Sequence, residues 1–327
     1  MPRVSVIVPC YNEQATIPLL LEAVYTQTYR REDMEIIIAD GLSGDQTRQR
    51  ITEFRVHHPD LEIRVVDNLR RNIPAGLNCA IQVAQGEIIV RLDAHCMPRP
   101  DYISSCISAL EQGKGDNVGG VWEIQPGGTG WMARAIAVAA AHPLGVGDAS
   151  YRYTDTPQQV DTVPFGAYHR SLVEKIGLYN EDLLTNEDYE FNVRVRQSGG
   201  VIWLDPAIRS VYFARDTLIG LIRQYARYGY WKARMLRRYP GTLRWRQALP
   251  PAFVAGLVVS GLLTFFFPIF GALFVIELSA YAIILLLAGL YSAWKHSDLA
   301  LVLGVPLAIA SMHLAWGSAF LWSIIVR

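Results

Sequence analysis

The chain has 327 residues, 51% of them apolar, with 30 Lys and Arg against 30 Asp and Glu. The length suits one large or two ordinary domains, and the neutral balance speaks against a dedicated nucleic-acid binder. Four scattered cysteines, Cys10, Cys79, Cys96 and Cys106, form no CxxC pair, so neither a disulfide framework nor a thiolate zinc site is expected, and a reducing cytoplasm is the default.

Those averages hide a division. Through Pro250 the chain mixes charged, polar and apolar residues; from Pro251 to Arg327 the only charged residues are Glu277, Lys295, Asp298 and Arg327. Between Phe191 and Pro250, twelve Lys and Arg stand against Asp205 and Asp216, a block of +10 that suits anionic lipid headgroups or a diphosphate. A soluble part is thus followed by a membrane part. The N-terminus MPRVSVIVPCYNE has no long apolar core and no cleavage-site pattern, so a cleaved signal peptide is not expected.

In chain order, Val4 to Val8 is a β-branched run that predicts a strand. Thr16 to Thr28 carries Ile17, Leu20, Leu21 and Val24 at helical spacing, and Glu35 to Ala39 is a second strand. Asp45 to His57 then reads as a helix, Ile63 to Val66 as a strand, Pro74 to Ala84 as a helix and Glu87 to Leu92 as a strand. Repeated βα units of this length predict an α/β fold, a doubly wound and mostly parallel sheet with helices on both faces. Ligands bind such sheets beyond the carboxyl ends of the strands. The polar clusters PCYNE, DGLSGDQT, DNLRRN and DAH fall at those ends, so one rim is the expected site of a polar ligand.

From Gly113 to Thr162 the signals weaken. Gly127, Gly128 and Gly130 mark a loop, Trp131 to Ala141 reads as a helix, and a flexible segment is expected through Gln159. Order resumes at Val160 to His169. Asn186 to Gln197 follows as a helix, Val201 to Leu204 and Ser210 to Phe213 as two strands, and Leu218 to Arg238 as a long basic, aromatic helix. The tail holds about three spans of the ~20 residues that cross a bilayer, near 252–272, 275–294 and 299–325. The Arg-rich stretch before the tail and Lys295 between the later spans place the soluble part on the cytoplasmic side. The expected domains are 1–217 (soluble), 218–250 (basic, amphipathic, interfacial) and 251–327 (membrane).

Together these clusters resemble the family 2 inverting glycosyltransferases, whose GT-A domain binds a nucleoside-diphosphate sugar on a doubly wound sheet. The resemblance covers Pro2 to about Arg238 and rests on five motifs in the family's order. The spacing of DAH, the NEDYEF segment and the short membrane tail look most like bacterial exopolysaccharide glucosyltransferases of the succinoglycan type. What this implies is transfer of a hexose, glucose being the expectation, from a UDP-sugar to a polyprenyl-diphosphate-linked oligosaccharide at the bacterial inner membrane, with a Mn2+ or Mg2+ cofactor.

The resemblance sets Pro9, Tyr11 and Glu13 against the nucleotide, although PCYNE also reads as a turn with Asn12 capping a helix. It makes Asp40 the acceptor of the uracil imide hydrogen. Leu42 is an insertion relative to the family's DGSxD, which changes what Ser43 and Asp45 can reach; Asp45 suits a helix cap. Asn72, Gly76 and Asn78 match a segment beneath the sugar phosphate, where Arg71 is either a phosphate ligand or, with Arg70, a solvated pair.

Asp93 and His95 form a variant of the family's DxD, with Asp93 orienting the nucleotide sugar and both facing a metal that bridges the phosphates. Imidazole suits manganese better than magnesium, so manganese activity at least equal to magnesium activity is expected. The alternative is a histidine satisfied by a backbone carbonyl, and Cys96 is read as packing. Asp188, paired with Glu187, corresponds to the base that takes the acceptor's proton; NED is also what a helix N-terminus looks like. Gln224, Arg227 and Tyr228 are similar to QxxRW with Tyr for Trp, which favours single additions and a diphosphate or acceptor contact. An amphipathic helix in the membrane interface is equally compatible with that stretch.

Other outcomes are a polyprenyl monophosphate acceptor, for which Asp188 matters less, or a non-catalytic scaffold that retains the fold. Asp40, Asp93 and Asp188 together speak against the scaffold. A transporter is poorly served by three spans with one acidic residue, Glu277.

Overall fold

The apolar runs of the first 91 residues build a parallel sheet. β1 (Val4–Cys10) lies between β2 (Met34–Asp40) and β4 (Ile88–Arg91), and β3 (Glu62–Asp67) pairs with the outer side of β2. Alternate side chains of β1 serve opposite faces, as the two-residue period of a strand requires. Val4, Val6 and Val8 pack with residues of α1 (Ile17–Tyr25), α2 (Thr47–His57) and, further along, α4 (Tyr102–Glu111). Ile7 packs with α3 (Ile73–Val83) on the other face. Ile36, Ile37 and Ile38 of β2 are fully buried, each contributing about 1.5–3 kcal/mol of apolar burial. Core burial therefore holds the strand ends, and the loops leaving them, in place. Pro9 sits inside β1 without harm, because pairing with β4 stops at Ile7, opposite Arg91.

The structure is a computed structural model that describes residues 2–326. Beyond the parallel strands it adds β5 (Cys96–Pro98), β6 (Asn117–Gln125), β7 (Gln158–Gln159), β8 (Ala167–His169) and β9 (Ile202–Phe213). The order across the sheet is β3-β2-β1-β4-β8-β6-β9-β5, with β7 also on β9. β8 is antiparallel to β4 and to β6, and β5 and β7 are antiparallel to β9. Where two strands are expected from Val201 to Phe213 there is one: buried and more exposed positions alternate straight through Asp205 and Pro206, so Pro206 interrupts β propensity without interrupting the pleat. The remaining elements are α5 (Trp131–Ala141), α6 (Pro143–Val146), α7 (Arg170–Ile176), α8 (Glu187–Gln197), α9 (Leu218–Arg238), α10 (Trp245–Leu263), α11 (Pro268–His296) and α12 (Leu301–Ile325).

Two compact units result: Met1–Glu123 with Ser150–Tyr212, and Ile124–Ala149 with Phe213–Arg327. The first contains the sheet core. In the second, α10, α11 and α12 are long and apolar enough to cross a membrane. The expected span at 252–272 is corrected: the helix ends at Leu263, and Pro268 opens the next one, a position where its missing N–H costs nothing. Close backbone approach marks the helix contacts. A Cβ on Gly229 of α9 would lie 2.3 Å from the Trp316 carbonyl oxygen of α12, and one on Gly289 of α11 would lie 2.4 Å from that of Val302.

The flexible segment expected through Gln159 is also corrected, since α6 and β7 order parts of it. The His142 ring accepts from Leu144 N at 3.1 Å, the Leu144 carbonyl meets His313 Nε2 at 2.8 Å, and Asp148 pairs with Arg244 at 2.9 Å and with Arg246. Those ties outweigh the polar composition on which the expectation was based.

Candidate active site

Three strand ends of the first unit meet in register: Cys10, Asp40 and Asp67 are direct partners across β1, β2 and β3. Two neighbouring carboxylates repel, and Arg48 at the start of α2 resolves the conflict. Its Nε donates to Asp40 Oδ2 and its Nη2 to Asp67 Oδ1, both at 2.5 Å. Ser43 adds its backbone N, 3.1 Å from Asp40 Oδ2, and its hydroxyl, 2.5 Å from Oδ1. The inserted Leu42 takes a left-handed backbone, φ +59°, which costs a non-glycine residue about 1–2 kcal/mol and lets Ser43 reach back to Asp40. Asp40 is therefore fully buried, and a ligand reaches it only if Arg48 or Ser43 yields.

Asn12, also left-handed at φ +55°, clamps the same loop: its N donates to Ser43 Oγ at 2.8 Å and its Oδ1 accepts from Gly44 N at 2.9 Å. Asp45 accepts from Thr47 N at 3.0 Å and so serves the first turn of α2. Tyr11 is half exposed, with its ring over Gly41. Glu13 turns along the rim toward the end of β4, where its Oε1 lies 3.1 Å from His95 Nδ1 while Oε2 accepts from the Thr16 hydroxyl.

At that end of the sheet, Arg91 closes β4 and Asp93 follows two residues later. The Arg91 guanidinium is only 4% exposed, and its Nη2 lies 2.9 Å from Glu187 Oε1 and 3.3 Å from Asp93 Oδ1. Its Nη1 is 3.8 Å from Asp188 Oδ2. Glu187 and Asp188 form the first turn of α8, where the helix dipole favours anions; Asn186 before them is left-handed, φ +68°, which turns the chain sharply into the helix. Asp188 Oδ1 also accepts from Tyr189 N at 2.7 Å, and about a third of its side chain remains exposed.

The electrostatics follow from burial. Loss of hydration pushes Glu187 up to about 7 against the opposing pull of Arg91, with Asp188 repelling it further. Asp188 is raised for the same reason, again opposed by Arg91. Neighbouring Cys96 is buried and its thiol is pushed up by desolvation, so it is packing rather than a ready thiolate.

Asp93 and His95 keep 20% and 43% of their side chains exposed. Among the described residues no third His, Cys, Asp or Glu completes a closed metal cluster with any such pair. Both side chains are open to solvent at this end of the sheet, as ligands to a divalent ion shared with substrate phosphates have to be.

Other expected site residues are engaged in the fold. Asn72 caps α3, its Oδ1 accepting from Ala75 N at 2.9 Å. Asn78 is buried; its amide donates to Tyr179 O and Glu181 Oε1, and its oxygen accepts from Tyr179 N. Gln224, Arg227 and Tyr228 lie on α9 in the second unit, where Gln224 donates to the Tyr228 hydroxyl at 2.9 Å and Arg227 is exposed. Two residues that the motifs did not single out, Arg48 and Arg91, organise the rim. A signal for Arg91 was available: a cation closing the apolar run IIVR must find anions. Arg48, on a polar helix, offered none.

Residues 5–177, more than half of the chain, match glycosyl transferase family 2. The chain belongs to this family. This family 2 glycosyltransferase is similar to two curated relatives over most of their length. One is the dolichyl N-acetyl-α-D-glucosaminyl phosphate 3-β-D-2,3-diacetamido-2,3-dideoxy-β-D-glucuronosyltransferase of Methanococcus voltae, 28% identical over 82% of this chain and 84% of the relative. Another is the succinoglycan biosynthesis protein ExoA of Rhizobium meliloti, 27% identical over 96% of this chain and 93% of the relative. The fold of this glycosyltransferase is shared with the mannosyltransferase PcManGT of Pyrobaculum calidifontis, solved with GDP-Man and Mn2+, at a TM-score of 0.66 and 20% identity over 95% of this chain and 87% of that one. It is also shared with S. aureus TarS 1-349, solved with UDP-GlcNAc, at a TM-score of 0.51 and 15% identity over 97% of this chain and 91% of that one.

Proposed function

We propose that this glycosyltransferase transfers a single hexose, glucose being the leading candidate, from a UDP-sugar to a polyprenyl-diphosphate-linked oligosaccharide, with inversion, in exopolysaccharide synthesis. The observation that carries the reading is the meeting of Asp93 with the Glu187–Asp188 pair around Arg91, three carboxylates at one end of the sheet. The names of the relatives support it: one acts on a dolichyl-linked sugar and another serves succinoglycan synthesis.

In this reading Asp188 accepts the proton of the acceptor hydroxyl as that oxygen attacks the anomeric carbon from the face opposite the nucleotide. The new glycosidic bond forms as the bond to the diphosphate breaks, and the electron pair leaves on the phosphate oxygen. Asp93 orients the donor, and Asp93 and His95 would hold a divalent ion, whose charge would stabilise the leaving diphosphate. Glu13 positions the His95 ring through Nδ1. The two fold relatives with bound nucleotide sugars, one of them also with Mn2+, support a metal and nucleotide-sugar site of this kind. A carboxylate has about four acceptor sites, and three donors already occupy Asp40. One further donor fits, which suits the single imide N–H of uracil once Arg48 or Ser43 moves aside.

The membrane part gives the acceptor a reason to be a lipid. Phe266, Ile276, Leu287 and Trp294 are all more than half exposed along the apolar tail, a surface that suits a bilayer. Residues 1–217 are proposed as the cytoplasmic catalytic domain, 218–250 as an interfacial segment and 251–327 as the inner-membrane domain. The test is calorimetry with UDP and GDP, each in manganese and in magnesium, followed by a donor screen for nucleoside diphosphate release. UDP binding with manganese at least as effective as magnesium is the expected result; GDP binding alone would overturn the uridine assignment.

A further inference from the structure

Arg91 occupies a place where a cation is costly. It closes a strand flanked on both sides, Ile89, Val90 and Leu92 beside it are fully buried, and its backbone N donates to Gly166 O at 2.9 Å. A structural counter-ion in such a place would be expected to use its whole fork. Arg91 does not. Both of its hydrogen bonds to side chains leave from Nη2, to Glu187 and Asp93, while Nε and Nη1 are buried and make no hydrogen bond. Nη1 stands 3.8 Å from Asp188 Oδ2, which is close enough for charge to act and too far for a direct hydrogen bond.

We infer that Arg91 is the positioning residue of the transfer reaction, acting on the first turn of α8 and so on Asp188. Fixed by the sheet, its guanidinium sets the distance between Asp93, at the end of β4, and the first turn of α8, which carries Asp188. Its Nη1, buried 3.8 Å from Asp188 Oδ2, acts on that carboxylate by charge without occupying it, which leaves the exposed third of Asp188 free to take the proton of an acceptor hydroxyl. A neutral side chain cannot do this, and a lysine does it only in part, because a single ammonium cannot hold Glu187 and Asp93 with one nitrogen while a second nitrogen faces Asp188. The inference rests on the reading of Asp188 as the base.

The test uses the full chain in detergent, with UDP-glucose and manganese as the probe, water taking the glucosyl group in place of the acceptor hydroxyl, and UDP release as the readout. Arg91→Met alone would strand three acids and could fail to fold. The informative variant is Arg91→Met combined with Glu187→Gln, which removes one cation and one anion together, compared with Glu187→Gln alone. The double variant is expected to unfold at a temperature near that of the single one and to bind UDP with manganese about as tightly, while its kcat falls about 100-fold further, the scale of a misplaced reacting group. Arg91→Lys should fall between, at about 10-fold. Equal kcat in the double and single variants would overturn the inference, and so would a loss of UDP affinity in step with kcat, which would make Arg91 a counter-ion of the pocket as a whole. A parent protein that releases UDP from no UDP-sugar would instead remove the reading of Asp188, and with it the inference.

Discussion

Replacing Glu187 by Gln tests the electrostatics of the site without touching its shape. Glu187 is 5% exposed, and its carboxyl is pushed from 4.5 up to about 7, chiefly by burial. A raised carboxyl means that the folded state binds this proton more tightly than the unfolded chain does, so folded stability falls as pH rises from 4.5 toward 7 and then levels off. Below 4.5 both states are protonated and the penalty is absent. Between pH 5 and pH 8 the penalty grows by about 2–3 kcal/mol, at 1.36 kcal/mol per pH unit of separation. For a unit of about 190 residues, 1 kcal/mol moves the midpoint by about 2–4 °C. Glu187→Gln cannot take up that proton, so its Tm minus that of the parent should rise by roughly 4–12 °C from pH 5 to pH 8. The assay is thermal unfolding of the detergent-solubilised protein followed by tryptophan fluorescence, both proteins at each pH. A Tm difference that stays constant across that range would refute the reasoning, because it would mean that Arg91 neutralises Glu187 completely and burial does not dominate.

Asp188→Asn should lower UDP release from the donor by about 10²–10⁴-fold, the usual worth of a general base, with UDP affinity kept; an unchanged rate in a transfer assay would remove Asp188 from the chemistry. His95→Asp is expected to retain activity and move the preference from manganese toward magnesium, whereas His95→Ala should lose most metal-dependent turnover, both read from metal titrations of the rate. Asn78→Ala should cost about 1–3 kcal/mol, because it leaves Tyr179 N and O buried without their partner, and thermal unfolding should show this without a matching loss of UDP affinity in calorimetry.

Periodicity in the sequence reaches the elements whose apolar side chains meet the core in a regular way. α5 and α9 start and stop where the pattern does, because an amphipathic face has to end where its burial ends. It misjudges elements whose limits depend on single residues or on distant partners. Pro206 suggests two strands where the pleat makes one, Pro268 begins a helix inside what reads as one continuous apolar run, and α6 is held by His313 and Asp148 rather than by its own composition.

The sequence by itself determined that the polar clusters end parallel strands, that they share one rim, and that an apolar tail follows, because strand alternation, helical spacing and hydropathy are local properties of the chain. Only the tertiary structure decided which of those polar groups are open to a ligand. Asp40 carries a recognisable motif and is sealed beneath Arg48 and Ser43. Asn78 carries another and is consumed by Tyr179. Arg91 belongs to no motif, and it joins Asp93 to Glu187 and Asp188 across 96 positions of sequence to the first of that pair. The physical reason is that a buried charge is defined by what surrounds it in space, and no spacing along the chain records that.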